Sequence, residues 1–120
     1  MNKIWIYNNS KGEEPAIDYL KILSSNSDKS SRIRFNKGND YIQALNVYGT
    51  NLSSNYIKHL DGPIWELRPG NDRILFGVIN LQEFVLLHHF VKKTQKTPKR
   101  EIEKAYTEFN SFMKERDLNE

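Results

Sequence analysis

"IWELRPGNDRILF", Ile64 to Phe76, reads as two short strands joined by a tight loop. Apolar and polar residues alternate on either side of "PGND", and Pro, Gly, Asn and Asp are turn formers. With "PGND" as a four-residue loop, Arg68 stands opposite Arg73 on one face of the hairpin. Like charges directly opposite each other destabilise paired strands. A hairpin that keeps such a pair is suited to holding something negative.

Working outward, "NLQE" is a second turn, so three strands are expected at about Ile64–Arg68, Arg73–Asn80 and Glu83–Val91. The simplest register sets Ile79 opposite Phe84 and Arg73 opposite Phe90, with Lys92 and Lys93 just past the last strand. One face then holds Trp65, Leu67, Ile74, Phe76, Val78, Val85, Leu87 and Val91, with His89 as its polar member. The other runs from apolar residues, Phe84 and Leu86 among them, to Glu66, Arg68, Arg73, His88 and Phe90. Three separate segments therefore converge on a cationic spot beside an aromatic ring. Guanidinium forks match the geometry of a phosphate, and Phe90 can stack on a base. The plain alternative is a wet, charged hairpin end.

The flanks complete a β-α-α-β-β-β-α order. A first strand is expected over Lys3–Tyr7 and a helix over Glu14–Ser24, where Pro15 suits a first turn. After the polar connector "SSNSDKSS", a second helix is expected from Asp28 to Val47, with Gly38 inside it at a cost to helicity. "YIKHLDG" reads as one short turn of helix. The last helix begins near Pro98 and presents Ile102, Ala105, Tyr106, Phe109, Phe112 and Met113 along one broad face. Ile17, Tyr19 and Tyr41 on the N-terminal helices are either core or a partner surface.

The 120 residues are expected to form one domain, 1–120, with 38% hydrophobic and 28% charged residues. There is no cysteine, which excludes disulfide scaffolds and thiolate metal sites. The N-terminal segment lacks the apolar run of a signal peptide and no stretch is long enough to span a membrane, so the expected location is cytoplasmic. The net charge of +3 is only mildly basic, but "KKTQKTPKREIEK" concentrates Lys92, Lys93, Lys96, Lys99, Arg100 and Lys104 in one stretch. His88 and His89 are adjacent and point to opposite faces of a strand, so they do not chelate one ion; no metal or other cofactor is expected.

"KHLDGPIWELR", "DRILFGV" and "VLLHHFVKKTQKTPKREIEKA" resemble the HigB-type toxins of the RelE/ParE superfamily, in its phage-derived killer-protein group. The resemblance covers about 58–105. It implies an α+β fold with helices on one side of a small twisted antiparallel sheet: N-terminal helices packed on one face and a C-terminal helix. It implies an mRNA endonuclease that works on the ribosome. It also implies neutralisation by a HigA-like helix-turn-helix antitoxin, with operator DNA bound only through the antitoxin complex. Arg68 and Arg73 match the family's sheet arginines, and Lys92 and Lys93 its basic residues after the last strand.

Metal-independent RNA cleavage needs removal of the 2′-hydroxyl proton, charge stabilisation at the phosphate and a proton for the leaving 5′-oxygen. Arg68 and Arg73 are the expected phosphate ligands. Lys92 or Lys93 would supply charge or proton transfer, provided cationic neighbours depress its pKa. His88 is a further catalytic candidate. Lys58, His59, Phe90, Lys96, Lys99 and Arg100 are expected to contact RNA or the ribosome. Glu66 is expected to orient an arginine, and Trp65 and His89 to belong to the core. Two other readings remain: a ParE-like toxin of the same fold acting on DNA gyrase, and a non-catalytic nucleic-acid or protein-binding module.

Overall fold

A computed structural model describes residues 1–118 of the chain. Its elements are β1 (Lys3–Ile6), α1 (Asp18–Ser24), α2 (Lys29–Tyr48), a 3-10 turn (Gly49–Asn51), β2 (Ile57–Asp61), β3 (Ile64–Leu67), β4 (Asp72–Asn80), β5 (Glu83–Val91) and α3 (Lys99–Leu118). The fold is α+β, with one five-stranded sheet in the order β1-β5-β4-β3-β2.

The sheet departs from the expectations from sequence. "YIKHLDG" is a strand and not a turn of helix: β2 pairs antiparallel with β3, His59 opposite Trp65. Ile57 is 3% exposed and anchors this edge strand to the core. The Asp61-Gly62 dipeptide, a hairpin signal, leads into its turn. The sheet is also mixed and not wholly antiparallel, because β1 runs parallel to β5 with Ile4 opposite Phe84. Parallel neighbours need a crossover, which α1, α2 and the β2–β4 meander supply.

Local chemistry explains the helices. Before α1, the 14–18 segment makes turn bonds, Ile17 N–H to the Glu14 carbonyl at 3.0 Å and Asp18 N–H to the same oxygen at 2.9 Å. Regular helix therefore starts at Asp18, later than Pro15 implied. Asp28 caps α2, its carboxylate accepting from the Ser31 N–H at 3.0 Å and the Ser31 hydroxyl at 2.8 Å. Gly38 weakens helix propensity, yet a Cβ there would lie 2.7 Å from the Tyr19 hydroxyl and 2.8 Å from a Leu20 methyl. The missing side chain is what lets α1 cross α2 closely.

The register near the turn is the expected one. Leu67 pairs with Ile74, which leaves Arg68 facing Arg73 as β3 ends, and Arg73 pairs with Phe90. Further along β5 the register slips. Leu75 pairs with His88 but Phe76 pairs with Leu86, so Leu87 is the extra residue of a β-bulge, and Val78, not Ile79, faces Phe84. One added residue reverses every side chain beyond it. Phe84 and Leu86 therefore join Leu67, Ile74 and Phe76 in the core beneath α1 and α2. Val85 and Leu87 join Ile64, Leu75 and Ala105 beneath α3.

Both faces of the sheet are thus covered, α1 and α2 on one and α3 on the other, which corrects the expectation of helices on one side. Gly77 permits this second layer, since the Phe109 ring rests where a Cβ would stand. Tyr19 is buried in the first core, with Ile17 and Tyr41 packed against it. The large exposed apolar residues of the N-terminal helices are instead Ile22, Ile33, Val47 and Tyr48.

Candidate functional site

Beyond the start of α3, its sheet face carries Glu66 on β3, Arg73 on β4 and Phe90 on β5, with Arg68 at the end of β3. The connector from Lys92 to Pro98 folds over this end. It is tied down by the Lys92 N–H, which donates to the Asn71 carbonyl at 2.8 Å, and by the Thr97 hydroxyl, which donates to Glu66 Oε1 at 2.5 Å. The other Glu66 oxygen lies 3.5 Å from Arg68 Nε and 3.8 Å from Arg73 Nε. A buried carboxylate between two guanidiniums offsets the like-charge repulsion that the hairpin register creates.

The arginines differ in access. Arg73 is 5% exposed, and its Nη1 donates to the carbonyls of Gly70 at 2.8 Å and Asp72 at 2.9 Å. Burial pulls its guanidinium below the usual value and Glu66 opposes that pull, while Arg68 reinforces it. An arginine still remains cationic at neutral pH. Arg68 is half-buried and donates through Nη1 to the Ser54 carbonyl at 3.1 Å. A small concavity, with Arg73, Phe90, Lys92, Lys93, Lys96 and Pro98 in its lining, has room, about 10 Å³, for only one water. Arg68 and the connector lysines are more exposed than Arg73, which lies in the interior.

The other candidates divide. Lys58 lies opposite Glu66 on β2, exposed on the same sheet face. His59 alternates to the other face, where Nε2 contacts the Gly62 carbonyl at 2.8 Å and the ring meets Trp65 edge-on at 5.0 Å. Lys96, Lys99 and Arg100 are exposed. Lys99 lies 3.8 Å from Glu103, and Arg100 3.9 Å from Glu101. His88 shares the sheet face of the arginines, but the structure places it under α3 and not in the concavity. It is 1% exposed, with Nδ1 2.6 Å from Glu108 and Nε2 3.0 Å from Glu101. Both ring nitrogens are engaged, so the geometry corrects the expectation of a phosphate-facing His88. It fastens α3 to β5.

His89 does sit in the core of the opposite face, stacked on Tyr19 at 3.6 Å. Its Nε2 lies 2.8 Å from Asp72, which also takes a two-pronged contact from Arg34 at 2.7 Å and 3.1 Å. Burial alone would raise the Asp72 carboxyl, but the bonds from His89 and Arg34 outweigh it and hold it at about 2. Asp72 precedes Arg73, so this cluster fixes the strand from which Arg73 projects. Neither it nor the Thr97–Glu66 bond was foreseen from sequence, since the partners lie 38 and 31 residues apart. Among the described residues, no group of three or more His, Asp or Glu is arranged to hold a metal ion. No helix among them is long and apolar enough to cross a membrane.

Among the described residues the chain is thus a small α+β domain with three helices and a cationic sheet end. The model of the phage-derived protein Gp49-like family (DUF891) matches residues 27–110, and the chain belongs to that family, within the RelE/ParE-like toxin superfamily. No curated protein matches the chain.

Proposed function

We propose that the protein is the toxin of a type II toxin–antitoxin system, an mRNA endoribonuclease of HigB type that acts on ribosome-bound message in the cytoplasm. One observation carries this reading: Arg68 and Arg73 share the Glu66 carboxylate at a sheet end bordered by Lys92 and Lys93. The 2′-hydroxyl attacks the adjacent phosphorus, the P–O5′ bond breaks, and the products are a 2′,3′-cyclic phosphate and a 5′-hydroxyl. Arg68 binds the phosphate at the surface and Arg73 adds charge from below as negative charge builds in the transition state. Lys92 or Lys93 mediates proton transfer as the connector shifts to admit the backbone. Lys58, Lys96, Lys99 and Arg100 contribute salt-sensitive contacts to RNA. A HigA-like antitoxin neutralises the toxin and carries the complex to operator DNA.

The test is end analysis of RNA recovered from ribosomes after exposure to the protein with chelator present. Cyclic phosphate and 5′-hydroxyl ends that depend on Arg68 support the mechanism. A second reading has its own observation. None of the three histidines lines the cationic concavity, so the site lacks the easiest general base near neutral pH. A toxin of this fold that only binds, whether to RNA or to gyrase, would arrest growth and leave RNA ends unchanged.

A further inference from the structure

A second cavity, of about 470 Å³, opens between the end of β5 and the first turn of α3. Phe90, Val91, Lys93, Pro98, Arg100 and Glu101 line it. It adjoins the cationic concavity, because Phe90, Lys93 and Pro98 belong to both. A nucleotide is built the same way: an anionic phosphate next to a flat, largely apolar ring. The volume lies within the range of small-molecule sites. Phe90 and Pro98 offer a wall on which a base stacks, and Lys93 and Arg100 supply positive charge around it.

Glu101 is the one carboxylate in that lining. Its Oε1 accepts from His88 Nε2 at 3.0 Å, which orients the group. Its Oε2 is 3.9 Å from Arg100 Nε, beyond hydrogen-bond range, so lone pairs remain for a ligand. A carboxylate only accepts, so it selects a base with donors side by side. The Watson–Crick edge of guanine presents a ring N–H next to an amino group. Adenine and cytosine set their amino group beside a ring acceptor, and uracil sets its N–H between two carbonyls.

We propose that this cavity is a guanine-preferring nucleobase subsite, with Phe90 as its stacking wall and Glu101 as the residue that reads the base. The assignment deepens the RNA-directed reading of the neighbouring cations and rests on it. The test is an NMR titration of the free protein with guanosine, inosine, adenosine, cytidine and uridine 5′-monophosphates. Guanosine monophosphate should shift amides between 90 and 101. It should bind about tenfold more tightly than inosine monophosphate, which lacks the amino group. Glu101→Gln, which still accepts from His88, should erase that difference. Phe90→Leu should weaken every nucleotide alike.

Equal affinities for the five nucleotides, shifts confined to another surface, or no binding up to about 10 mM would overturn the subsite. The assay involves neither ribosome nor cleavage, so the two readings fail separately. Equal nucleotide affinities beside ribosome-dependent cleavage would remove the subsite and leave the nuclease. A guanine preference in solution without cleavage of ribosome-bound message would remove the nuclease and leave the subsite.

Discussion

The Thr97 hydroxyl donates to Glu66 Oε1, tying the basic connector to the carboxylate that holds both hairpin arginines. This bond and the one from the Lys92 N–H to the Asn71 carbonyl hold the two ends of the connector against the hairpin that carries Arg68 and Arg73. Thr97→Val keeps the shape and removes the donor, leaving an oxygen of a buried carboxylate without it. A loss of about 1–3 kcal/mol in urea unfolding is expected, together with faster tryptic cleavage after the connector lysines. Unchanged cleavage kinetics would mean that the bond does not restrain the connector.

Arg68 and Arg73 should part company when each is replaced. Arg73→Ala leaves Glu66 with one fewer cation in the interior and empties two carbonyl contacts, and breaking a buried pair in this way costs about 3–5 kcal/mol. Arg68→Ala acts at a more exposed position and should cost about 1 kcal/mol or less. Denaturant midpoints of the two variants measure the difference. For function, Arg68 is therefore the cleaner probe, because its loss leaves the fold standing.

Asp72 predicts the acid limb of stability. Its folded carboxyl sits at about 2, below the ordinary 3.8. A depressed folded value stabilises above the unfolded pKa, and the benefit is lost as pH falls from about 4 through 2. The wild type should lose about 2 kcal/mol over that window on this account. Asp72→Asn should be less stable at neutral pH and decline less steeply than the wild type over that window, the lowered carboxyls of Asp28 and Glu83 keeping a residual slope. Parallel acid limbs in thermal melts would contradict the assignment.

Gly38 and Tyr19 form a coupled pair. Alanine at 38 gains about 1 kcal/mol of helix propensity, but its methyl would meet the Tyr19 hydroxyl at 2.7 Å. Overpacking costs about 1–3 kcal/mol, so the clash wins and Gly38→Ala destabilises. The Tyr19 hydroxyl is buried without a hydrogen-bond partner among the described residues. Tyr19→Phe should therefore stabilise by about 1 kcal/mol and rescue part of the Gly38→Ala loss. A double-mutant cycle measures the coupling.

The hairpin was legible because its signals are local. Turn residues stand at the right spacing around "PGND", and alternation fixes which residues share a face, so Arg68, Arg73 and Phe90 could be set together. The β-bulge was not legible: nothing in "FVLLHHF" marks Leu87 as the unpaired residue, and one slip exchanged Phe84 and Leu86 with Val85 and Leu87. β2 carried a signal in Asp61-Gly62, which the short, mixed pattern of "IKHLD" obscured. The engagement of His88 by Glu101 and Glu108 depends on how α3 lies on the sheet, which helical periodicity alone does not determine. Glu66 was read as a partner for an arginine, and it stands between two.

The most direct measurement is primer extension on a defined mRNA bound to purified ribosomes, with chelator present, comparing wild type with Arg68→Ala. The account predicts cleavage by the wild type only when ribosomes are present, and a loss of about a hundredfold or more in the variant, the scale of removing one group that stabilises a transition state. An intact message with the wild type, or equal cutting by an Arg68→Ala protein of normal stability, would contradict it.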